Sequence, residues 1–307
     1  MLFSYLIANC KPLSGIITIK NPLILGFLLI CLTQLTACSL SQLTVRASMP
    51  MIEGGMTAMN KESDLQLAGT AIPANISLIE GMLINDPGNN KLRLYAAQAY
   101  YGYAFGFVED SNPTRAASLY DRGYRHARQV LFARGLSEQA MHSDLDSLQK
   151  IINQLGSNAV PALFWTASCW SKAIDLNRDK ARSLAQLPKA VMLMQRVLEL
   201  DEHYYMSGAH IFFGAYYGSK SPMLGGNYEL SEQHFSQANQ ANQGKLLLVH
   251  LLQAQYLERQ RFAQQAFHDL LTRIIKASQS LYPEQTLINQ IAKQKASLLL
   301  EKEEQWF

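Results

Sequence analysis

Charge is scarce in this sequence. Asp, Glu, Lys and Arg make up 17% of its 307 residues, and 27 basic residues nearly balance 24 acidic ones. A balance so close to neutral gives no electrostatic footprint for nucleic acid. With 48% apolar residues the chain is no disordered or acidic solvating segment and can bury a sizeable core. Cysteine is scarce too. Of Cys10, Cys31, Cys38 and Cys169, three fall within the first 38 residues, which excludes a disulfide-stapled fold for the rest. β-Branched runs are few and helix formers dominate, which predicts a nearly all-helical protein. Catalytic signatures are also missing. Ser207, Ser219 and Ser221 have no G-x-S-x-G context, and neither HxxxH nor HExxH spacing joins His210 to His234. No catalytic residue, metal set or cofactor is expected.

What is present begins with an address. Lys20 precedes an apolar run, Pro22 to Leu35, too short for a membrane span of about 20 residues and suited to a signal-peptide core. The run ends in Leu35-Thr36-Ala37-Cys38, small residues before a cysteine, as in a bacterial lipobox. Residues 1–37 are therefore read as a lipoprotein signal peptide, with Cys38 lipidated. Ser39 in place of an aspartate points to the periplasmic face of the outer membrane. Two or more acyl chains hold a protein firmly at a membrane. Loss of Lys11 and Lys20 with the signal lowers the basic count from 27 to 25. Cys169 then stands alone among Phe164, Trp165 and Trp170, as a small core residue rather than a nucleophile.

Residues 38–63 are mixed and aperiodic, carry Gly54–Gly55, and read as a flexible tether. Their methionines (Met49, Met51, Met56, Met59) are better explained as adaptable apolar side chains than as copper ligands. Residues 64–307 read as one helical domain. Ile72, Ile76, Ile79 and Leu83 repeat at helical spacing, with Pro73 suited to a first turn. Asn85-Asp86-Pro87-Gly88 closes that helix. The next runs from Asn90 to about Val108, and Asn112 or Asp110 caps a third. Glu109 and Asp110 read as helix-end carboxylates stabilised by the helix dipole. Further helices are expected over 137–153, from Pro161, over 188–200, 228–239, 245–257 and 262–280, and from Pro283 toward Glu304.

The stretch His203–Gly226 reads as a buried helix with glycines at packing positions that breaks at Ser219–Pro222, followed by a turn at Gly225–Gly226. Its phrase Phe213-Gly214-Ala215-Tyr216-Tyr217-Gly218 matches Tyr101-Gly102-Tyr103-Ala104-Phe105-Gly106 in aromatic and small order. Helix, turn, helix with small residues at the contacts predicts a single-domain, degenerate tetratricopeptide-like helical-hairpin solenoid. Most of its aromatics are core. Tyr101, Phe105, Trp165, His210, Phe213 and Tyr216 are the candidates to face a ligand channel.

The ordered phrases resemble a known family. Asp64-Leu65 with Ala71-Ile72-Pro73, Ile79-Glu80, Asp86-Pro87, Tyr103-Ala104-Phe105 through Glu109-Asp110, and Leu119-Tyr120 come first. Val160 through Trp165, Leu187-Pro188, Leu200-Asp201, Gly225-Gly226, His234-Phe235 with Ala238, and Ala296 through Leu299 follow in order. Together with the lipobox they resemble the T-component proteins of TRAP transporters, periplasmic lipoproteins of tetratricopeptide-like fold. The region over 137–158 carries little of the pattern. The resemblance implies a non-enzymatic accessory that assembles with a periplasmic solute-binding protein. It also implies a homotrimer, and a channel passing small hydrophobic solutes toward a membrane transporter. The competing expectation is a structural scaffold lipoprotein that recruits envelope-assembly partners.

Overall fold

The computed structural model describes residues 40–307, so the signal peptide 1–37 and the lipidation position Cys38 lie outside the described residues. The helical domain is the compact unit Ser48–Phe307. It begins inside the stretch read as a tether. Helix α1, Met49–Asn60, forms there with Pro50 in its first turn. Met59 packs against the core of the C-terminal helices, and Lys91 pairs with Glu53. These are tertiary contacts, which the aperiodic composition of the segment does not reveal.

Helix α2, Leu65–Asn85, starts at Asp64, whose carboxylate accepts from the N–H groups of Gln66 and Leu67 at 2.8 and 3.0 Å. Pro73 therefore lies inside the helix and not in its first turn. An internal proline removes one helical hydrogen bond. The helix continues through it because Ala68, Ile72, Ile76, Ile79 and Leu83 form one buried stripe. By length and composition α2 could cross a membrane, yet its buried stripe packs on the rest of the domain while its other face is exposed.

Helix α3, Asn90–Tyr103, runs on as a π-helical turn, Ala104–Val108. Asn112 then caps α4, Pro113–Ala133, by accepting from Arg115 N–H at 3.0 Å. The single helix expected over 137–153 is two: α5, Glu138–His142, and α6, Leu145–Ile152. Asp144 makes the break, because its carboxylate caps Ser147 N–H at 2.9 Å and starts a new helix. Then come α7 (Val160–Asp175), α8 (Ala181–Leu184), α9 (Leu187–Leu200), α10 (Tyr204–Gly218) and α11 (Tyr228–Ala241). Helix α12, Leu247–Gln253, also runs on as a π-helical turn, Ala254–Glu258. Helices α13 (Gln264–Lys276), α14 (Thr286–Leu300) and α15 (Glu303–Trp306) complete the chain. No strand occurs among the described residues.

Neighbours in sequence pack as neighbours in space. Helix α2 lies on α3, α3 on α4, α4 on α7, α7 on α9, α10 on α11 and α13 on α14. This is the all-α, tetratricopeptide-like hairpin stack expected from the sequence. Its first and last hairpins share a core: Ile72, Tyr100 and Phe105 cluster with Leu251, Phe267 and Ile291. Helix α14 touches both α1 and α2. At the join, Ile291 Cδ1 stands 2.7 Å from where a Cβ on Gly106 would be. Cys169 is buried, with its sulfur against Gly123, and burial raises its thiol pKa. That is the core role expected of it.

The first aromatic phrase has a structural counterpart that its composition does not announce. Both π-helical turns close with an i→i−5 bond, Glu109 N–H to Ala104 O at 2.9 Å and Arg259 N–H to Ala254 O at 3.1 Å. In each, a glutamate stands at the end of the turn, Glu109 or Glu258, and makes ion pairs. The phrase in α10 contains no such turn. A π-bulge is one extra residue in the helical turn, and an aromatic and small pattern does not report it.

Candidate binding site

The entry to α10 is not a right-handed helix. Tyr205, Met206 and Ser207 have φ of 47°, 60° and 57°, a left-handed turn built without glycine. For L-residues this conformation costs roughly 1–2 kcal/mol each. The right-handed helix begins only at Gly208, so the buried helix read from His203 starts later than expected. Asn242 Nδ2 holds the turn by donating to Met206 O at 2.8 Å, and Ser207 N–H donates to His203 O at 3.2 Å. Replacing buried Ser207 with glycine is expected to raise stability by about 1 kcal/mol. A lower melting temperature for Ser207→Gly would show that the turn stores no such strain.

The left-handed turn aims Tyr205 into an aromatic group. Its ring centroid lies 4.7 Å from Trp165 and 5.4 Å from Phe164, both edge-on or tilted. Gln98 Nε2 donates to its hydroxyl oxygen at 2.9 Å. Trp165 meets Tyr101 at 5.7 Å, and Tyr101 meets Tyr120 at 5.2 Å and Phe105 at 6.4 Å. Three of the six sequence candidates, Tyr101, Phe105 and Trp165, are therefore together. Burial is the main cause that raises the phenol pKa of Tyr101 and Tyr205, and it pushes that of Tyr204 up to about 12. Tyr205 nonetheless keeps 37% of its surface accessible. Tyr205 is thus the partly open member of an otherwise packed aromatic group.

The other three candidates form a second group on α10 and α11. Phe213 is buried, stacks on Tyr217 at 6.0 Å and meets Tyr216 edge-on at 6.3 Å. His210 Nδ1 lies 2.9 Å from His234 Nδ1, and His210 Nε2 lies 3.3 Å from Glu202. A carboxylate only accepts, so His210 Nε2 carries a hydrogen, and the Nδ1 contact holds one hydrogen between two rings. Burial first, and then the His210 charge, lowers the His234 pKa to about 4. Among the described residues no three His, Cys, Asp or Glu side chains converge as a metal site.

Charge borders the first group. Glu109 does stand at a helix end, as the cap of the π-helical turn, but its carboxylate turns inward to two lysines instead of lying at a helix N-terminus. Its oxygens lie 2.9 Å from Lys172 Nζ on α7 and 3.1 Å from Lys295 Nζ on α14. They also accept from Tyr120 OH at 2.6 Å. Lys295 reaches Asp110 at 2.6 Å and sits 4.6 Å from the Phe105 ring centre. Burial alone would raise the Glu109 carboxyl pKa, but the two ammonium groups and the Tyr120 bond outweigh it and hold it below the ordinary value. Sequence reasoning missed Tyr205, Gln98, Lys172 and Lys295. The Tyr204-Tyr205 doublet was the one visible signal.

Stacked helical hairpins with an aromatic interior define a protein of tetratricopeptide-like class. The chain belongs to the TRAP transporter T-component family, whose description matches residues 61–307. No curated protein matches the chain significantly. Membership makes it a component of a TRAP transporter system of the cell envelope.

Proposed function

We propose that this protein is a non-enzymatic lipoprotein accessory that holds a small hydrophobic solute in a hollow beside Tyr101, Trp165 and Tyr205. In this reading it receives or delivers that solute by docking a periplasmic solute-binding protein. One observation carries the proposal: Tyr205 stays accessible inside an aromatic surround, at a turn whose strain the fold maintains. Strained backbone of this kind concentrates at ligand sites, and ligand sites are mostly apolar with a few placed polar groups. Gln98, Lys172 and Glu109 supply those groups. Lipidation at Cys38 on the periplasmic face of the outer membrane, and assembly as a homotrimer, belong to the same proposal.

The test is extraction of the purified full-length protein followed by mass spectrometry, with Tyr205→Ala and Trp165→Ala in parallel. An apolar molecule is expected in the wild type, with at least tenfold less in Tyr205→Ala. Equal recovery from both would remove the hollow from the mechanism. Trp165→Ala leaves a core cavity and is expected to cost about 3–5 kcal/mol, so Tyr205 is the cleaner variant. Membrane pull-down with the tagged protein is expected to bring down a solute-binding protein.

A second reading, a scaffold for envelope-assembly partners, draws on Leu67, Ala74 and Leu78. These share one exposed face of α2, an apolar surface suited to a protein partner. Recovery of assembly machinery without any solute-binding protein would favour it.

A further inference from the structure

A pocket of about 280 Å³ opens where α2, α3 and α4 meet, well apart in sequence from the residues around Tyr205. Arg93, Arg122, Arg125 and Arg128 line it with His126 and Glu80. Four guanidinium groups thus face one carboxylate in a protein whose composition is nearly neutral. The sequence places them there by helical spacing. Arg122, Arg125 and Arg128 recur every third residue on α4, and Arg93 comes from the first turn of α3.

The plain alternative is an ordinary face of surface ion pairs, and part of the geometry has that character. Arg122 Nη2 lies 3.1 Å from Glu80 and Arg125 Nε lies 3.4 Å from Asp121. The remainder does not. Arg128 comes only within 3.9 Å of Glu138, beyond a hydrogen bond. Arg93 donates twice to the Pro87 carbonyl, at 2.7 and 3.1 Å, and makes no ion pair with a described residue. Two nitrogens of the pocket side chains, Arg128 Nε and His126 Nδ1, are buried with no hydrogen-bond partner. Buried polar nitrogens left in this way are uncommon in native folds.

The arginines are also held in place. The Arg122 guanidinium stacks 4.5 Å from the Tyr100 ring centre, and Arg128 lies 5.3 Å from both Tyr124 and Phe132. Stacking fixes the planes and leaves N–H edges free. Glu80 is fixed as well, by Tyr100 OH at 2.6 Å and His126 Nε2 at 3.2 Å.

We propose that this pocket binds a phosphate group. Clustered planar guanidinium forks match a tetrahedral oxyanion with several acceptor oxygens. With His126 neutral, four arginines against Glu80 and the flanking Asp121 and Glu138 leave one net positive charge, which matches a singly charged phosphodiester and partly offsets a monoester of about −1.5 to −2. The volume lies just below the roughly 300–1,000 Å³ range for ligand clefts, and exceeds what one free oxyanion needs. Two carriers share this chemistry, a soluble phosphate and the headgroup of an anionic phospholipid.

The experiment is isothermal titration calorimetry on the full-length protein in neutral detergent at pH 7 and low salt. Inorganic phosphate, dihexanoylphosphatidylglycerol and dihexanoylphosphatidylcholine are titrated separately. Either phosphate or the glycerol lipid is expected to bind, and to weaken at least tenfold in Arg128→Gln and Arg125→Glu. Affinity should be unchanged in Arg115→Gln, which lies outside the pocket. Arg125 is exposed and meets only Asp121, so its variant leaves the core intact, and an unchanged melting temperature verifies this. Binding of phosphate alone identifies a soluble carrier; binding of the glycerol lipid alone identifies a headgroup. The proposal is overturned by no binding of either ligand. It is also overturned by equal affinity in wild type and pocket variants, or by equal binding of both lipids.

Discussion

Alanine in place of Glu109 is expected to lower the unfolding free energy by about 3–5 kcal/mol, the usual result of breaking a buried ion pair from one side. The substitution leaves Lys172 and Lys295 facing each other, with side chains only 17% and 8% exposed. It also strips Tyr120 OH of its acceptor. Because these lysines come from α7 and α14, the loss loosens the contact between the first and last hairpins. Chemical denaturation of Glu109→Ala measures it, and a change under 1 kcal/mol would mean that the lysines find other partners. The replacement Lys172→Met should be milder, since Lys295 still neutralises Glu109.

The same charges set the acid response. Glu109 has a folded pKa below its unfolded value, so its contribution is present above the ordinary carboxylate range near 4.5 and is lost as pH falls through the folded pKa. His234 acts over a higher window. Its folded pKa of about 4 lies below the ordinary 6.5, so the unfolded chain binds the extra proton first and stability declines as pH falls from about 6.5 toward 4. Melting temperature against pH is therefore expected to fall in two stages on acidification. His126 and His250, whose pKa burial also lowers, act in the same direction, so His234→Phe should shrink the upper stage and leave the lower one unchanged.

Gly208→Ala is expected to cost about 1–3 kcal/mol and to empty the proposed aromatic hollow. A Cβ at this position would stand 2.5 and 2.6 Å from Cε2 and Cζ of Phe164. That ring has little room to yield, because Trp165, Tyr204 and Tyr205 contact it at centroid distances of 5.1 to 5.4 Å. Displacing it pushes it toward Tyr205. The extracted apolar molecule should fall along with the melting temperature. Normal stability with normal solute content would show that Phe164 has space to retreat.

Some of this was written in the sequence. Helix-forming composition, turn residues and helical spacing of apolar side chains determined an all-α hairpin stack. Asn112 was read as a cap and caps α4, and Gly225, at φ 82°, makes the turn assigned to it. These features depend on residues near one another in the chain, where local geometry decides the outcome. The glycines of α10 were legible as close-packing positions because only a missing side chain admits a ring such as Phe164 or Phe235. The family was legible through ordered short phrases, and its match covers residues 61–307.

Other features were decided by tertiary structure alone. Pro73 survives inside α2 because the stripe around it is buried, although local rules would end a helix there. Glu109, the cap of a π-helical turn, faces inward and is retained there by lysines 63 and 186 residues away in sequence. Tyr205, Met206 and Ser207 take a left-handed turn that their intrinsic preferences oppose, held by Asn242 and surrounding rings. Four arginines become a pocket only when α3 is laid against α4. In each case the deciding energy comes from partners distant in the chain, and sequence patterning carries no record of which partners will meet.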